Sequence, residues 1–139
     1  MMIRELLPSD RIEFLELCNI FGETCIDKAR FKIIMDKRKE SGITTFVGVA
    51  IDKIVSTHAV IIEPKFLHDG SNVAHFEDLI VHPDYREHGI GEQMLSNSLQ
   101  YANDMNCYKA IYKCSEKMIP YYTRTLNGYQ HEISMRTDF

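Results

Sequence analysis

Val81-His82-Pro83-Asp84-Tyr85-Arg86-Glu87-His88-Gly89-Ile90-Gly91 joins an apolar run to an amphipathic one through the pattern Arg-x-x-Gly-x-Gly. Glycines at these places let the backbone come close to a ligand and turn several N–H groups toward one point. The helix that follows adds its unpaired amide donors and the positive end of its dipole. Together they predict an anion site suited to a pyrophosphate. The Gly-Lys-Ser/Thr ending of a nucleotide triphosphatase loop is missing.

Downstream, Ile90, Met94, Leu95, Leu99, Ala102 and Met105 fall on one face of a helix about four turns long. Tyr108–Cys114 then reads as a strand, a helix starts near Ser115 and carries Tyr121 and Tyr122, and a last strand runs from Gly128 to Arg136. Upstream, Val73–Val81 is a strand ended by His82-Pro83-Asp84, and Pro64 to Asn72 is a turn-rich connection. Thr44–Ile51 and Ile54–Glu63 are β-rich runs separated by Asp52-Lys53, which predicts a tight hairpin. Residues 2–7 read as a short strand, with Ser9 or Asp10 capping a helix that carries Ile12, Leu15, Leu17 and Ile20. A second helix spans Asp27 to Glu40. The order β-α-α-β-β-β-α-β-α-β predicts an α+β (mixed α/β) fold around a central, mostly antiparallel sheet.

The chain has 139 residues, 45% of them apolar, which predicts one domain over 1–139 with a real core. Its formal net charge is −4 and charges are mixed along the chain, so no basic arm points to nucleic acid. Cys18, Cys25, Cys107 and Cys114 show no CxxC spacing. With no signal-like or membrane-spanning run, they read as reduced thiols of a cytoplasmic protein without a metal site.

The Arg-x-x-Gly-x-Gly turn between a central strand and a long helix resembles the acetyl-CoA loop of the GNAT N-acetyltransferases, and the element order resembles that superfamily too. A denser resemblance runs from Ile61 to Tyr122. Ile61-Ile62-Glu63-Pro64-Lys65, Ala74-His75-Phe76-Glu77-Asp78, Asn106-Cys107-Tyr108-Lys109 and the Tyr121-Tyr122 pair follow one another as in the glucosamine 6-phosphate N-acetyltransferase family. That resemblance implies acetyl transfer from acetyl-CoA to the amine of D-glucosamine 6-phosphate, giving a product on the route to UDP-N-acetylglucosamine. It also implies a homodimer with sites near the interface, in which the C-terminal strand is exchanged.

Direct transfer needs an oriented amine, a polarised thioester carbonyl and help for the departing thiolate. The matching positions assign amine binding to Glu77 and Asp78. Side chains alternate along a strand, so only one of the two is expected to face the cleft, the other offering its backbone carbonyl. The backbone N–H of Leu79 is expected to polarise the carbonyl, with Ile80 and Val81 meeting the pantetheine arm. Arg86, Glu87, His88, Gly89, Ile90, Gly91 and Glu92 form the pyrophosphate turn. Tyr122 is the acid for the thiolate, because a phenol donates a hydrogen bond without being ionised. Lys65, then His68, His75 and Arg136, are the candidates for the sugar phosphate. His58 reads as a structural histidine, and Cys107 and Cys114 as small packing residues.

Four departures from the family pattern stand out. Glu92 replaces a frequent Lys, Ser115 an Asp and Met118 an Asn, and the stretch 123–128 is two residues longer. They leave two alternatives open: another amine acceptor, or a CoA-binding dimer module without catalysis.

Overall fold

In the computed structural model, which describes residues 1–139, the β-branched runs at the centre of the chain pair first with each other. Strand β2 (Ile43–Ala50) and strand β3 (Lys53–Pro64) form an antiparallel hairpin. Ala50 pairs with Lys53, so the turn is Ile51-Asp52, one residue earlier than expected. Both residues have positive φ (49° and 59°), the geometry that matches the strands' right-handed twist. β1 (Met2–Glu5) adds to β2, β4 (Asn72–Val81) adds antiparallel to β3, and β5 (Cys107–Tyr112) adds parallel to β4. The sheet order is β1-β2-β3-β4-β5.

Alternation along β2 sends Phe46 and Val47 to opposite faces, and each face has its own core. Phe46 joins Val55, Val60, Ile62, Ala74 and Phe76 against helix α3 (Ile90–Asp104). Tyr121, Tyr122 and Leu126 of helix α4 (Ile119–Leu126) pack on the same side. Val47, Ile54 and Ile80 pack instead against Leu17 of helix α1 (Arg11–Cys18). Helix α2 (Lys28–Glu40) follows, capped by the Asp27 carboxylate accepting from the Arg30 amide at 2.7 Å, and its Phe31 meets Phe14 of α1 edge-on.

Several expectations shift. Asp10 does not cap α1; its carboxylate takes two hydrogen bonds from Arg4, at 2.6 and 3.0 Å, and one from the Leu7 amide. Ser115 opens a 3-10 turn at Glu116–Met118 rather than α4 itself. The buried stripe of α3 is Ile90, Met94, Ser98 and Ala102, spaced by four, with Leu95 beside Met94, while Leu99 and Met105 face outward. The strand expected over 128–136 is absent. α4 ends at Asn127 in the left-handed conformation, and 127–139 continue with Tyr129, Ile133, Met135 and Phe139 exposed. A strand needs a neighbour to take its N–H and C=O groups, and this chain offers that segment none.

Candidate active site

β4 is two strands in one. From Asn72 to Phe76 it lies between β3 and β5, but its pairing with β5 stops at Phe76–Tyr112. Beyond that point, Glu77 to Val81 keep β3 on one side and no strand on the other. The β3 register also slips there: Ala59 faces Glu77 while Thr57 faces Ile80, so Asp78 and Leu79 together oppose His58. This is a β-bulge, and Asp78 takes φ of 55° to make it. The bulge interrupts the regular strand alternation just where Glu77 and Asp78 meet. Glu77, Asp78 and Leu79 all line one cleft of about 360 Å³, together with His58, Phe76, Tyr112, Lys113, Cys114, Ser115, Met118 and Tyr122.

Tyr122 reaches the cleft from α4, its ring stacked on Tyr112 at 5.0 Å and edge-on to Tyr121 at 5.2 Å. Burial, then the neighbouring Tyr121, Cys114 and Tyr112, push its phenol above the usual value, so the hydroxyl keeps its proton through the neutral range. His58 is 1% exposed, and burial lowers it to about 4, leaving a neutral ring. Burial, then the Asp78 charge, raises the Cys18 thiol, and burial alone raises Cys107. Both are poor nucleophiles in that state.

At the end of β4 the chain passes a 3-10 turn (Pro83–Tyr85) and enters the glycine turn. Arg86 Nε–H folds back to donate to the Val81 carbonyl at 3.1 Å, and His88 Nδ1–H donates to the Arg86 carbonyl at 2.6 Å. Glu87 and Gly89 both have positive φ, 64° and 72°. Gly89 is the N-cap of α3, and no side chain caps the helix, so its first amides are left as donors. Gly91 is needed for contact: a Cβ there would sit 2.7 Å from the Tyr121 hydroxyl. Glu92 points sideways to Arg124 of α4, at 3.4 Å.

The cations expected for an acceptor phosphate are not inside this cleft. Lys65 and His75 both bind Glu63, Lys65 as an ion pair and His75 Nε2 at 2.7 Å. Lys65 first and His75 second hold the Glu63 carboxyl below its ordinary value. His68 stacks on Tyr108 at 4.0 Å, and Arg136 lies in the exposed tail, bonded to Asp138 at 2.6 Å. Lys113, which sequence reasoning passed over, lines the cleft and forms no ion pair. A lysine just past an apolar strand carried no signal of its own; only the parting of β4 and β5 makes that place special. No group of three or more His, Cys, Asp or Glu is arranged to hold a metal ion, and all four cysteines are free thiols.

A strand parted from its neighbour, a bulge at the parting and an uncapped helix after a glycine turn follow one another along the chain. The sequence profile described as the acetyltransferase (GNAT) family matches residues 9–128. The chain belongs to the GNAT acetyltransferase family. A glucosamine 6-phosphate N-acetyltransferase of Trypanosoma brucei brucei is 34% identical over 98% of this chain and 94% of its own length. A crystal structure of a Trypanosoma brucei acetyltransferase superposes with a TM-score of 0.94, at 33% identity over 99% of each chain. That of glucosamine-6-phosphate N-acetyltransferase from Arabidopsis thaliana gives 0.92 at 26% identity, over 99% of this chain and 97% of that one. The resemblance read from the motifs between Ile61 and Tyr122 is thus shown by whole-length relatives.

This GNAT protein is therefore an acetyl-transferring enzyme of a family that uses acetyl-CoA. Its residues suit such a substrate. The uncapped α3 amides match an anion, and the open edge from Glu77 to Val81 matches an amide-bearing arm that pairs as a strand does. No helix is long and apolar enough to cross a membrane.

Proposed function

We propose that the chain transfers the acetyl group of acetyl-CoA directly to the amine of D-glucosamine 6-phosphate, giving N-acetylglucosamine 6-phosphate for UDP-N-acetylglucosamine synthesis. The observation that carries this reading is the bulged, half-unpaired end of β4, where Glu77, Asp78, Leu79 and Tyr122 meet in one cleft. The relatives' names supply the acceptor.

Arg86 to Glu92 hold the pyrophosphate through backbone amides, with the α3 dipole behind them. Leu79, Ile80 and Val81 hold the pantetheine arm along the free edge. Glu77 and Asp78 orient the amine, whose lone pair attacks the thioester carbon as the Leu79 N–H draws on its oxygen. The C–S bond breaks, the sulfur takes the Tyr122 phenolic proton, and the proton shed by the new amide nitrogen returns through water to the tyrosinate. Tyr122 suits that role because its raised pKa keeps the proton in place until the thiolate leaves. Lys65, His68 and His75 serve the sugar phosphate at the rim, and Glu63 holds two of them in position.

Arg136 pairs with Asp138 in the exposed tail and does not line the cleft, and the exposed Tyr129, Ile133 and Met135 suit a strand partner. The proposal therefore includes a homodimer of a one-domain cytoplasmic enzyme, whose exchanged tails bring Arg136 to the neighbouring site. Elution as a monomer at micromolar concentration would remove that part.

A second reading keeps the chemistry and changes the acceptor. It is favoured by Glu63, which already occupies Lys65 and His75 and leaves Lys113 as the free cation of the cleft. One experiment separates the two: thiol release from acetyl-CoA with D-glucosamine 6-phosphate, beside glucosamine and glucose 6-phosphate. Release that requires both amine and phosphate supports the sugar phosphate, and Tyr122→Phe should then lower kcat by roughly 100-fold. Equal release with glucosamine, or none with any of the three, overturns it.

A further inference from the structure

The cleft holds a histidine that the chemistry above leaves idle. His58 sits on β3 directly opposite the bulged pair Asp78-Leu79, and it lines the same cleft as Leu79 and Tyr122. Its ring is fixed from two sides: edge-on to Phe76 at 5.2 Å, and with Nδ1 2.6 Å from the Ser98 hydroxyl of α3.

The tautomer follows from the partners. The ring is neutral, so one nitrogen carries the proton. Ser98 is fully buried and its hydroxyl has no other hydrogen-bond partner than Nδ1. A sealed hydroxyl gives its hydrogen to the one acceptor in reach, so Ser98 donates to Nδ1 and the ring proton lies on Nε2. Nε2 has no partner within the chain. His58 is 1% exposed and lines the cleft, so Nε2 is the polar atom that its ring can offer there. The cleft wall therefore carries a neutral N–H donor, held by a positioning serine, with nothing yet to donate to.

We propose that His58 Nε2–H is a second hydrogen-bond donor to the thioester carbonyl oxygen of acetyl-CoA, acting beside the backbone N–H of Leu79. This rests on the reading of the Leu79 notch as the acetyl site, and not on the identity of the acceptor. The alternatives fit the group less well. An attacking amine needs acceptors for its own hydrogens, which Glu77 and Asp78 supply, and a phosphate calls for a cation. A carbonyl oxygen only accepts, and it gains negative charge as the amine attacks. A fixed donor in a dry site helps most at such an atom. The proton stays on Nε2 throughout, so no further acid or base is required.

The test is the carbon-13 resonance of acetyl-CoA labelled at the carbonyl carbon and bound without any acceptor. Donors to the oxygen move this resonance downfield of its free position. The double variant His58→Phe/Ser98→Ala keeps the ring and removes both polar partners, so no hydroxyl is orphaned. It should show a smaller displacement, and with acceptor present a kcat lower by roughly 30- to 100-fold at a KM for acetyl-CoA changed by less than about threefold. His58→Gln, whose amide N–H reaches about as far as Nε2, should recover part of both.

An equal displacement in wild type and double variant overturns the proposal, as does a KM rise with unchanged kcat. Should the double variant not fold, His58→Asn carries the test: its amide can still meet Ser98 in the place of Nδ1 but puts no donor at the place of Nε2, so the displacement must shrink, and an unchanged one overturns the proposal. A wild-type enzyme that ignores glucosamine 6-phosphate, while its bound carbonyl still responds to His58, defeats the acceptor assignment and supports this one.

Discussion

The two halves of β4 have the same neighbour on one side and opposite fates on the other. Asn72–Phe76 is sandwiched between β3 and β5, and Val73 and Ala74 in it are 0% exposed. Glu77–Val81 loses β5, slips register against β3 and holds Asp78 in the left-handed region. In the first half each backbone group is consumed by a ladder; in the second, one row of N–H and C=O groups is left for something else. The site is therefore made by interrupting a regular element, and the intact half is what holds the interruption still.

The sharpest way to break this contrast is at the junction. Phe76 is 4% exposed and packs on His58 at 5.2 Å and on Tyr112 at 6.3 Å, so it ties the paired half to both walls of the cleft. Phe76→Ala should lower stability by about 3–5 kcal/mol, the cost of a buried aromatic replaced by a cavity. Urea unfolding should show a lower midpoint at unchanged slope. A loss below about 1 kcal/mol would mean that the two halves of β4 stand independently.

Acid tests the next element. His58 has a folded value near 4 against about 6.5 when unfolded, so between those limits the unfolded chain binds more protons. Stability from this group is then complete above about pH 6.5, falls as the pH drops, and is gone near pH 4. The full span is about 3 kcal/mol. Asp10 acts in a lower window. Burial raises it, but the hydrogen bonds from Arg4 and the Leu7 amide outweigh this and lower it overall, so its contribution persists until the pH falls below the usual carboxylate range. Melting temperatures of His58→Gln should flatten between pH 6.5 and 4 while the lower limb stays. A wild-type curve already flat there would show that His58 protonates without cost.

How far all this could be read from the chain differs between the two halves as well. The Val73–Val81 strand, the Arg86–Gly91 turn and the apolar face of α3 are periodic or glycine signals, and they survive in the structure with small shifts. The bulge at Asp78 was not legible, because nothing in Phe76-Glu77-Asp78-Leu79 marks where a partner strand will part. Alternation along an ideal strand sets Glu77 and Asp78 on opposite faces and takes no account of that extra residue. Ser98 was missed in favour of Leu99 because its burial depends on a polar partner, His58, two elements away. The pairing of Glu92 with Arg124 depends on the position of α4, which no local pattern supplies. The tail alternates like a strand, yet pairing depends on a neighbour that the chain itself does not provide.

The smallest effect is the most instructive, and it lies at Asp78. Its φ of 55° is a conformation that aspartate tolerates, glycine prefers and β-branched residues resist. Asp78→Gly should leave stability unchanged or raise it by up to about 1 kcal/mol, since relief of the left-handed strain is partly offset by the extra freedom of glycine when unfolded. Asp78→Val should be less stable than the glycine variant by about 1–2 kcal/mol. Equal stability of the two would mean that the bulge moves elsewhere to suit the side chain. Activity then separates shape from charge. If the carboxylate orients the amine, the glycine variant folds as well as the parent yet needs more acceptor to reach half-maximal rate, while its bound thioester is undisturbed. If Asp78 serves only to turn the backbone, the same variant keeps its KM, and the work of holding the amine falls to Glu77 alone.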